Sequence, residues 1–287
     1  MRSWTMGRRT ATMLVVCVAV LMGAASCQTE RKAPPAPAKD APAAASPKAP
    51  AADKAPSKKA APKFADADLP DIEYTEIVTG KGEKSDRLPM IVMVHGYGAT
   101  PDDFKGFFLT NFQVPARVIL PKGIKPKGPG FSWFDIVRPI EDGDPKMVAE
   151  MERSAAALAK LMRRLRVEKP TLGKPIISGF SQGGMMSFIV AAKHPEVISA
   201  AVPIAGWLPP ALVPEAELTG NQPAITALHG DADERVKLEP TRQGVEALHA
   251  KGLKAELKIY PGVAHRFTPT MKVDFFNIIR KSIEALQ

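Results

Sequence analysis

An α/β architecture, with a mostly parallel central sheet and helices on both faces, is what this sequence predicts. Three observations carry that expectation. Short apolar runs recur from residue 74 onward, helix-like periodic stretches separate many of them, and loops bearing Gly, Ser, His and Asp follow several of the runs. Alternating strand and helix units imply crossover connections, and crossovers put parallel strands at the centre of the fold.

Each element has its own signal. Tyr74–Thr79 alternates apolar and polar residues, the pattern of a half-exposed edge strand. Met90–Val94, Ala116–Leu120, Pro175–Ser178, Ala200–Ile204, Ala224–Leu228 and Ala255–Tyr260 are short apolar runs between turn residues, as expected of buried strands. Asp144-Pro145 combines a capping acid with proline at the first helical position, and the periodic stretch behind it runs to about Arg166. Met185–Ala192 reads as an apolar helix. Thr268-Pro269 repeats the start signal before Asp274–Leu286, which sets Phe275, Ile279, Ile283 and Leu286 on one face. No long insertion follows the sixth strand, so no large cap domain is expected.

The N-terminal 63 residues stand apart from this pattern. Arg2, Arg8 and Arg9 precede an apolar stretch, Met13–Met22, and Gly23-Ala24-Ala25-Ser26 lead into Cys27. A charged n-region, a short h-region and small residues before the cleavage point make residues 1–27 a signal peptide. A membrane-spanning helix needs about 20 apolar residues, more than this stretch supplies. Cys27 directly after small residues resembles a bacterial lipoprotein signal. That resemblance implies lipidation of Cys27 and a membrane anchor in the cell envelope; cleavage after Ser26, giving a secreted or periplasmic product, is the competing expectation. Residues 28–63 are Ala, Pro and Lys with scattered acids. They cannot bury enough apolar surface to offset their ordering entropy, and read as a disordered tether with a reach on the order of 100 Å. The folded domain is expected over residues 64–287.

Charge divides at the same boundary. Residues 1–63 carry 11 Lys and Arg against 3 Asp and Glu, whereas residues 64–287 carry 28 against 27. The basic excess belongs to the leader and tether, so no nucleic-acid partner is expected of the domain. Arg163-Arg164-x-Arg166 reads as a solvated last helical turn, where cations suit the dipole. Cys17 falls in the signal and Cys27 at its end, which leaves the domain without a disulfide or a thiolate metal site. No metal and no cofactor are expected.

Chemistry enters with Gly179-Phe180-Ser181-Gln182-Gly183, a G-x-S-x-G sequence between a strand and a helix. Such a serine sits on a tight strand-to-helix turn that lifts its hydroxyl toward substrate. The pattern alone arises by chance in roughly one chain in ten of this length, so its partners must decide. His229-Gly230-Asp231-Ala232-Asp233 and, later, Gly262-Val263-Ala264-His265 each follow a predicted strand. Ser181, then Asp233, then His265 is the chain order of nucleophile, acid and base in hydrolases built on an α/β sheet. Asp231 competes with Asp233 for the acid. His95-Gly96-Tyr97-Gly98, after Met90–Val94, is where a backbone N–H for an oxyanion would come from.

These blocks, with Ser132-Trp133-Phe134-Asp135, Gly179-Phe180-Ser181-Gln182-Gly183-Gly184 and Gly206-Trp207-Leu208-Pro209, resemble the carboxylesterase and acyl-protein thioesterase group of small α/β-hydrolases. They spread over about residues 90–267. Ala99 departs from the group, which often has Asp there. The resemblance implies an α/β-hydrolase fold and hydrolysis of carboxylic esters or thioesters through a covalent acyl intermediate. It assigns Ser181 as nucleophile, His265 as base, Asp233 as acid, and the Tyr97 and Gln182 N–H groups as oxyanion hole. Trp133, Phe134, Trp207 and Leu208 are expected either to line an acyl groove or to pack in the core. Asp135 is expected to brace its loop, His95 and His229 to bond locally, and His194 and His249 to be solvated. The expected substrate is a small-molecule or envelope-associated ester. A polysaccharide side-chain or feruloyl-type esterase, and a non-catalytic envelope binding module on the same fold, are the alternative expectations.

Overall fold

The computed structural model describes residues 63–287, apart from the side chain of Asp142. The signal peptide, Cys27 and the tether up to residue 62 lie outside the described residues. The chain runs through β1 (Tyr74–Thr79), β2 (Leu88–Val94), α1 (Lys105–Asn111), β3 (Ala116–Pro121), β4 (Lys125–Lys127) and β5 (Gly130–Ser132). It continues through α2 (Pro145–Glu168), β6 (Thr171–Phe180), α3 (Gln182–Lys193), β7 (Ala200–Ile204), β8 (Ala224–Gly230), α4 (Leu238–Ala250), β9 (Lys254–Tyr260) and α5 (Pro269–Glu284). Seven strands form one sheet in the order β1-β3-β2-β6-β7-β8-β9. All neighbours are parallel except β1 and β3, which pair antiparallel at one edge.

The continuous apolar runs follow from burial on both faces of this sheet. Along β2, Met90, Val92 and Val94 enter one core cluster, and Ile91 and Met93 enter the other. Helices α2, α3 and α4 cover the first face, and α1 and α5 cover the second. Each such side chain, fully buried, contributes roughly 1.5–3 kcal/mol, so a polar residue anywhere in these runs would be costly. The alternating β1 buries Ile77 and Thr79 and leaves Val78 and the three residues before Ile77 half-exposed, as its edge position requires. At the opposite edge, β9 points Lys254, Glu256 and Lys258 to solvent.

The helix-start signals act as read. Asp144 accepts a hydrogen bond from the Met147 N–H at 2.9 Å, with Pro145 in the first turn. Thr268 caps α5 in the same way, accepting from the Met271 N–H at 3.3 Å. A cap of this type is worth about 0.5–2 kcal/mol. The α5 helix stops at Glu284, so Leu286 lies beyond the apolar face and is half-buried outside the helix, where it packs near Gly173. No described helix is long and apolar enough to cross a membrane.

Candidate active site

Ser181 stands between the end of β6 and the start of α3, with φ 58° and ψ −117°. A non-glycine residue in that region is strained by about 1–3 kcal/mol. Its neighbours make the turn sterically achievable. A Cβ on Gly183 would lie 2.0 Å from the Val94 carbonyl oxygen, and one on Gly179 would lie 2.5 Å from Gly183. Nothing larger than hydrogen fits at either place. The Ser181 N–H donates to the Ile204 carbonyl at 2.9 Å, which fastens the turn to β7.

Two distant loops bring their side chains to this serine. His265 Nε2 is 3.0 Å from Ser181 Oγ, and His265 Nδ1 is 2.7 Å from Asp233 Oδ2. The other carboxylate oxygen of Asp233 accepts from the N–H groups of Arg235 and Val236, both at 2.9 Å. Burial would raise the Asp233 pKa, but the His229 imidazole 3.5 Å away and the hydrogen bonds from His265 and the Val236 backbone outweigh it and hold the group well below the usual carboxylate range. Asp231 goes elsewhere: its Oδ1 accepts from the Gly262 N–H at 2.6 Å and steadies the turn that leads to His265.

The segment after β2 lies against the serine, since a Cβ on Gly96 would sit 3.5 Å from Ser181 Cβ. The Gln182 N–H belongs to the first turn of α3, where backbone donors lack intrahelical partners. The Tyr97 N–H has no backbone acceptor among the described residues. The hairpin of β4 and β5 straps this segment down. Gly98 donates to the Phe131 carbonyl at 2.8 Å, and Phe131 donates to Ala99 at 2.9 Å. Tyr97 itself is 42% exposed, with Lys127 Nζ 5.3 Å from its ring centre.

The Gln182 side chain is a structural part that the sequence did not announce. Its Oε1 accepts from Ser132 Oγ and from the Trp133 N–H, both at 3.1 Å, and its Nε2 donates to the Phe134 carbonyl at 3.0 Å. Trp133 Nε1 in turn donates to the His95 carbonyl at 3.0 Å. The Ser-Trp-Phe block therefore braces both the serine turn and the segment after β2. These three buried contacts give no sign in the sequence, which shows only the glutamine.

Several expectations change here. Trp133, Phe134, Trp207 and Leu208 are at most 1% exposed and belong to the core cluster, so their assignment as groove-lining residues gives way to core packing. The physical reason is enclosure: Trp133 and Phe134 are held by Ser154 of α2 and Gln182 of α3, and Leu208 lies against Gly244 of α4. His194, expected in solvent, is half-buried at the end of α3, and burial lowers its pKa. His249 is exposed, as expected. Asp135 pairs with Lys125 at 2.6 Å and braces its loop. Among the described residues no cluster of His, Cys, Asp or Glu is arranged to hold a metal ion.

The sequence profile of the phospholipase/carboxylesterase family matches residues 73–286. The chain belongs to that family. Its enzyme class is carboxylic ester hydrolase. A probable carboxylesterase of Oryza sativa subsp. japonica is 24% identical over 69% of this chain and 79% of its own length. Acyl-protein thioesterase 1 of Mycosarcoma maydis is 26% identical over 61% of this chain and 79% of its own. In other curated relatives the matched share falls to 52% of their length. The α/β-hydrolase fold is shared with the crystal structure of esterase PE8 at a TM-score of 0.61 and 21% identity, over 74% of this chain and 99% of that one.

Proposed function

We propose that the chain is an exported serine esterase that hydrolyses carboxylic esters, and thioesters by the same route, through Ser181, His265 and Asp233. The observation that carries this reading is the 3.0 Å contact between Ser181 Oγ and His265 Nε2, backed by the 2.7 Å contact of His265 Nδ1 with Asp233. Nucleophile, base and orienting acid are then each within hydrogen-bond reach of the next.

As Ser181 Oγ bonds to the substrate carbonyl carbon, its proton passes to His265 Nε2. The Asp233 carboxylate holds the Nδ1–H tautomer and stabilises the imidazolium. The Tyr97 and Gln182 N–H groups receive the carbonyl oxygen as it becomes an oxyanion; one such donor is worth about 2.7–4 kcal/mol. The bond to the leaving oxygen or sulfur breaks as Nε2 returns the proton to that atom, which leaves an acyl-serine. Water then gives a proton to Nε2, attacks the acyl carbon and releases the acid, and Ser181 recovers its proton.

Export rests on the charged n-region, the apolar stretch and the small residues before Cys27. Lipidation of Cys27 would hold the domain on a membrane at the end of its Ala/Pro/Lys tether, facing envelope-associated esters. The mass of the mature protein tests it: a diacylglyceryl-cysteine terminus is expected, and an unmodified terminus overturns the anchor alone. The central test is Ser181→Ala assayed on p-nitrophenyl esters beside labelling with a fluorophosphonate. Loss of hydrolysis and of the adduct by a folded variant is expected, and retained turnover would remove Ser181 from the mechanism.

A further inference from the structure

The Asp233 carboxylate faces two imidazoles, and the mechanism above uses only one. His229 Nε2 lies 3.5 Å from Asp233 Oδ2, the same oxygen that meets His265. His229 Nε2 is also 2.8 Å from the Val236 carbonyl oxygen. A carbonyl can only accept, so Nε2 carries a proton. On the far side of the ring, His229 Nδ1 is 3.0 Å from Thr241 Oγ1, and that hydroxyl lies 2.8 Å from the Gly206 carbonyl. His229 and Thr241 are both 0% exposed, so these contacts lie away from bulk solvent.

The hydroxyl of Thr241 has one proton and two claimants. Given to Nδ1, it leaves His229 neutral and the Gly206 carbonyl without that bond. Given to Gly206, it turns the oxygen lone pair toward Nδ1, which must then carry its own proton, and His229 becomes a cation facing Asp233. Rotation of one hydroxyl is thereby linked to the charge of the second imidazole. Among the described residues, Asp233 is the one charged group within ion-pair distance of this ring. The acid loop contributes Asp233, α4 the Thr241 hydroxyl, the loop after β7 the Gly206 carbonyl, and the loop after β9 the titratable His265 beyond the carboxylate. Gly206 also touches the nucleophile's own helix, because a Cβ there would lie 2.5 Å from the Met185 nitrogen.

We propose that Thr241 and His229 form a positioning relay behind the triad, which fixes the Asp233 carboxylate and sets the basicity of His265 through it. The relay rests on the triad reading, because it acts only through Asp233 and His265. Thr241→Val keeps the shape of the side chain and removes the oxygen that a His229 cation needs. With His229 held neutral, Asp233 keeps its negative charge for His265, and the His265 imidazolium is stabilised. The acidic limb of kcat/KM is then expected to move to higher pH by about half a pH unit, the direction given by loss of a nearby positive charge. A fall in kcat with KM nearly unchanged accompanies it, and Thr241→Ser restores both.

His229→Gln, which keeps an N–H for Val236 but cannot become charged, gives an independent reading should Thr241→Val fail to fold. The same upward movement of the limb is expected. A limb that stays in place in a folded, active Thr241→Val or His229→Gln enzyme overturns the relay, even if kcat falls, because a merely structural role lowers activity without moving the limb. Retained turnover by Ser181→Ala would instead remove the triad reading, so the two failures are distinguishable.

Discussion

Two His-Gly dipeptides mark the C-terminal ends of two strands, His95-Gly96 after β2 and His229-Gly230 at the end of β8, and their histidines are built for opposite ends. Both rings are fully buried. His95 Nε2 accepts from the Gly123 N–H at 2.9 Å, while its Nδ1 lies 2.7 Å from the Gly96 carbonyl. An amide N–H on one side and a carbonyl on the other admit a single neutral tautomer, and burial lowers the pKa further. His229 has a carbonyl on one side and a hydroxyl on the other, with the Asp233 carboxylate alongside. A hydroxyl can give or receive, so this ring is not confined to one charge. The chemistry of a buried histidine is set by the hydrogen-bonding character of its neighbours more than by its burial.

The largest expected effect lies on the acid side of this pair. Asp233→Asn should lower kcat by about 10⁴-fold, because the amide orients His265 in the wrong tautomer, and steady-state kinetics on a p-nitrophenyl ester reads it directly. On the oxyanion side, His95→Ala leaves the Gly123 N–H and the Gly96 carbonyl unpaired and loosens the loop that presents Tyr97. A fall in kcat of about 10²-fold is expected, as for loss of one oxyanion donor, with the acidic limb of kcat/KM unmoved. A shifted limb in that variant would erase the contrast between the two histidines.

A smaller effect is expected in stability against acid. Asp233 has a folded pKa depressed below its unfolded value, so its contribution is present above the unfolded value of about 3.9 and is lost as pH falls from there toward the folded one. Denaturant midpoints of the wild type should therefore decline below about pH 4, and those of Asp233→Asn should decline less steeply. Equal slopes would place the carboxylate's hydrogen bonds in the unfolded chain as well.

The comparison also marks how far the sequence could be read. The seven sheet strands and the helices α2, α3 and α5 were legible because each has a strong period or a cap, such as Asp144-Pro145 or the continuous run Met90–Val94. The β4–β5 hairpin was not, since Lys125–Lys127 and Gly130–Ser132 are three residues each and have little strand propensity. Helix α1 was missed for a related reason: its seven residues are too few for periodicity to register. Ser181, Asp233 and His265, which the structure brings within hydrogen-bond distance of one another, stood out because each follows a recognisable strand. Thr241 was not, because a threonine on an amphipathic helix carries no mark of the ring it meets. Trp133 and Trp207 were ambiguous in principle, as a large aromatic serves a groove and a core equally well until enclosure is known.

The charged residues along β9 have a consequence beyond the monomer. A parallel strand at the rim of a sheet offers unpaired amide and carbonyl groups to any passing chain. Lys254, Glu256 and Lys258 crowd that rim with side chains whose hydration would have to be stripped before another strand could dock. Charge on an edge strand of this kind opposes edge-to-edge pairing between copies of the domain.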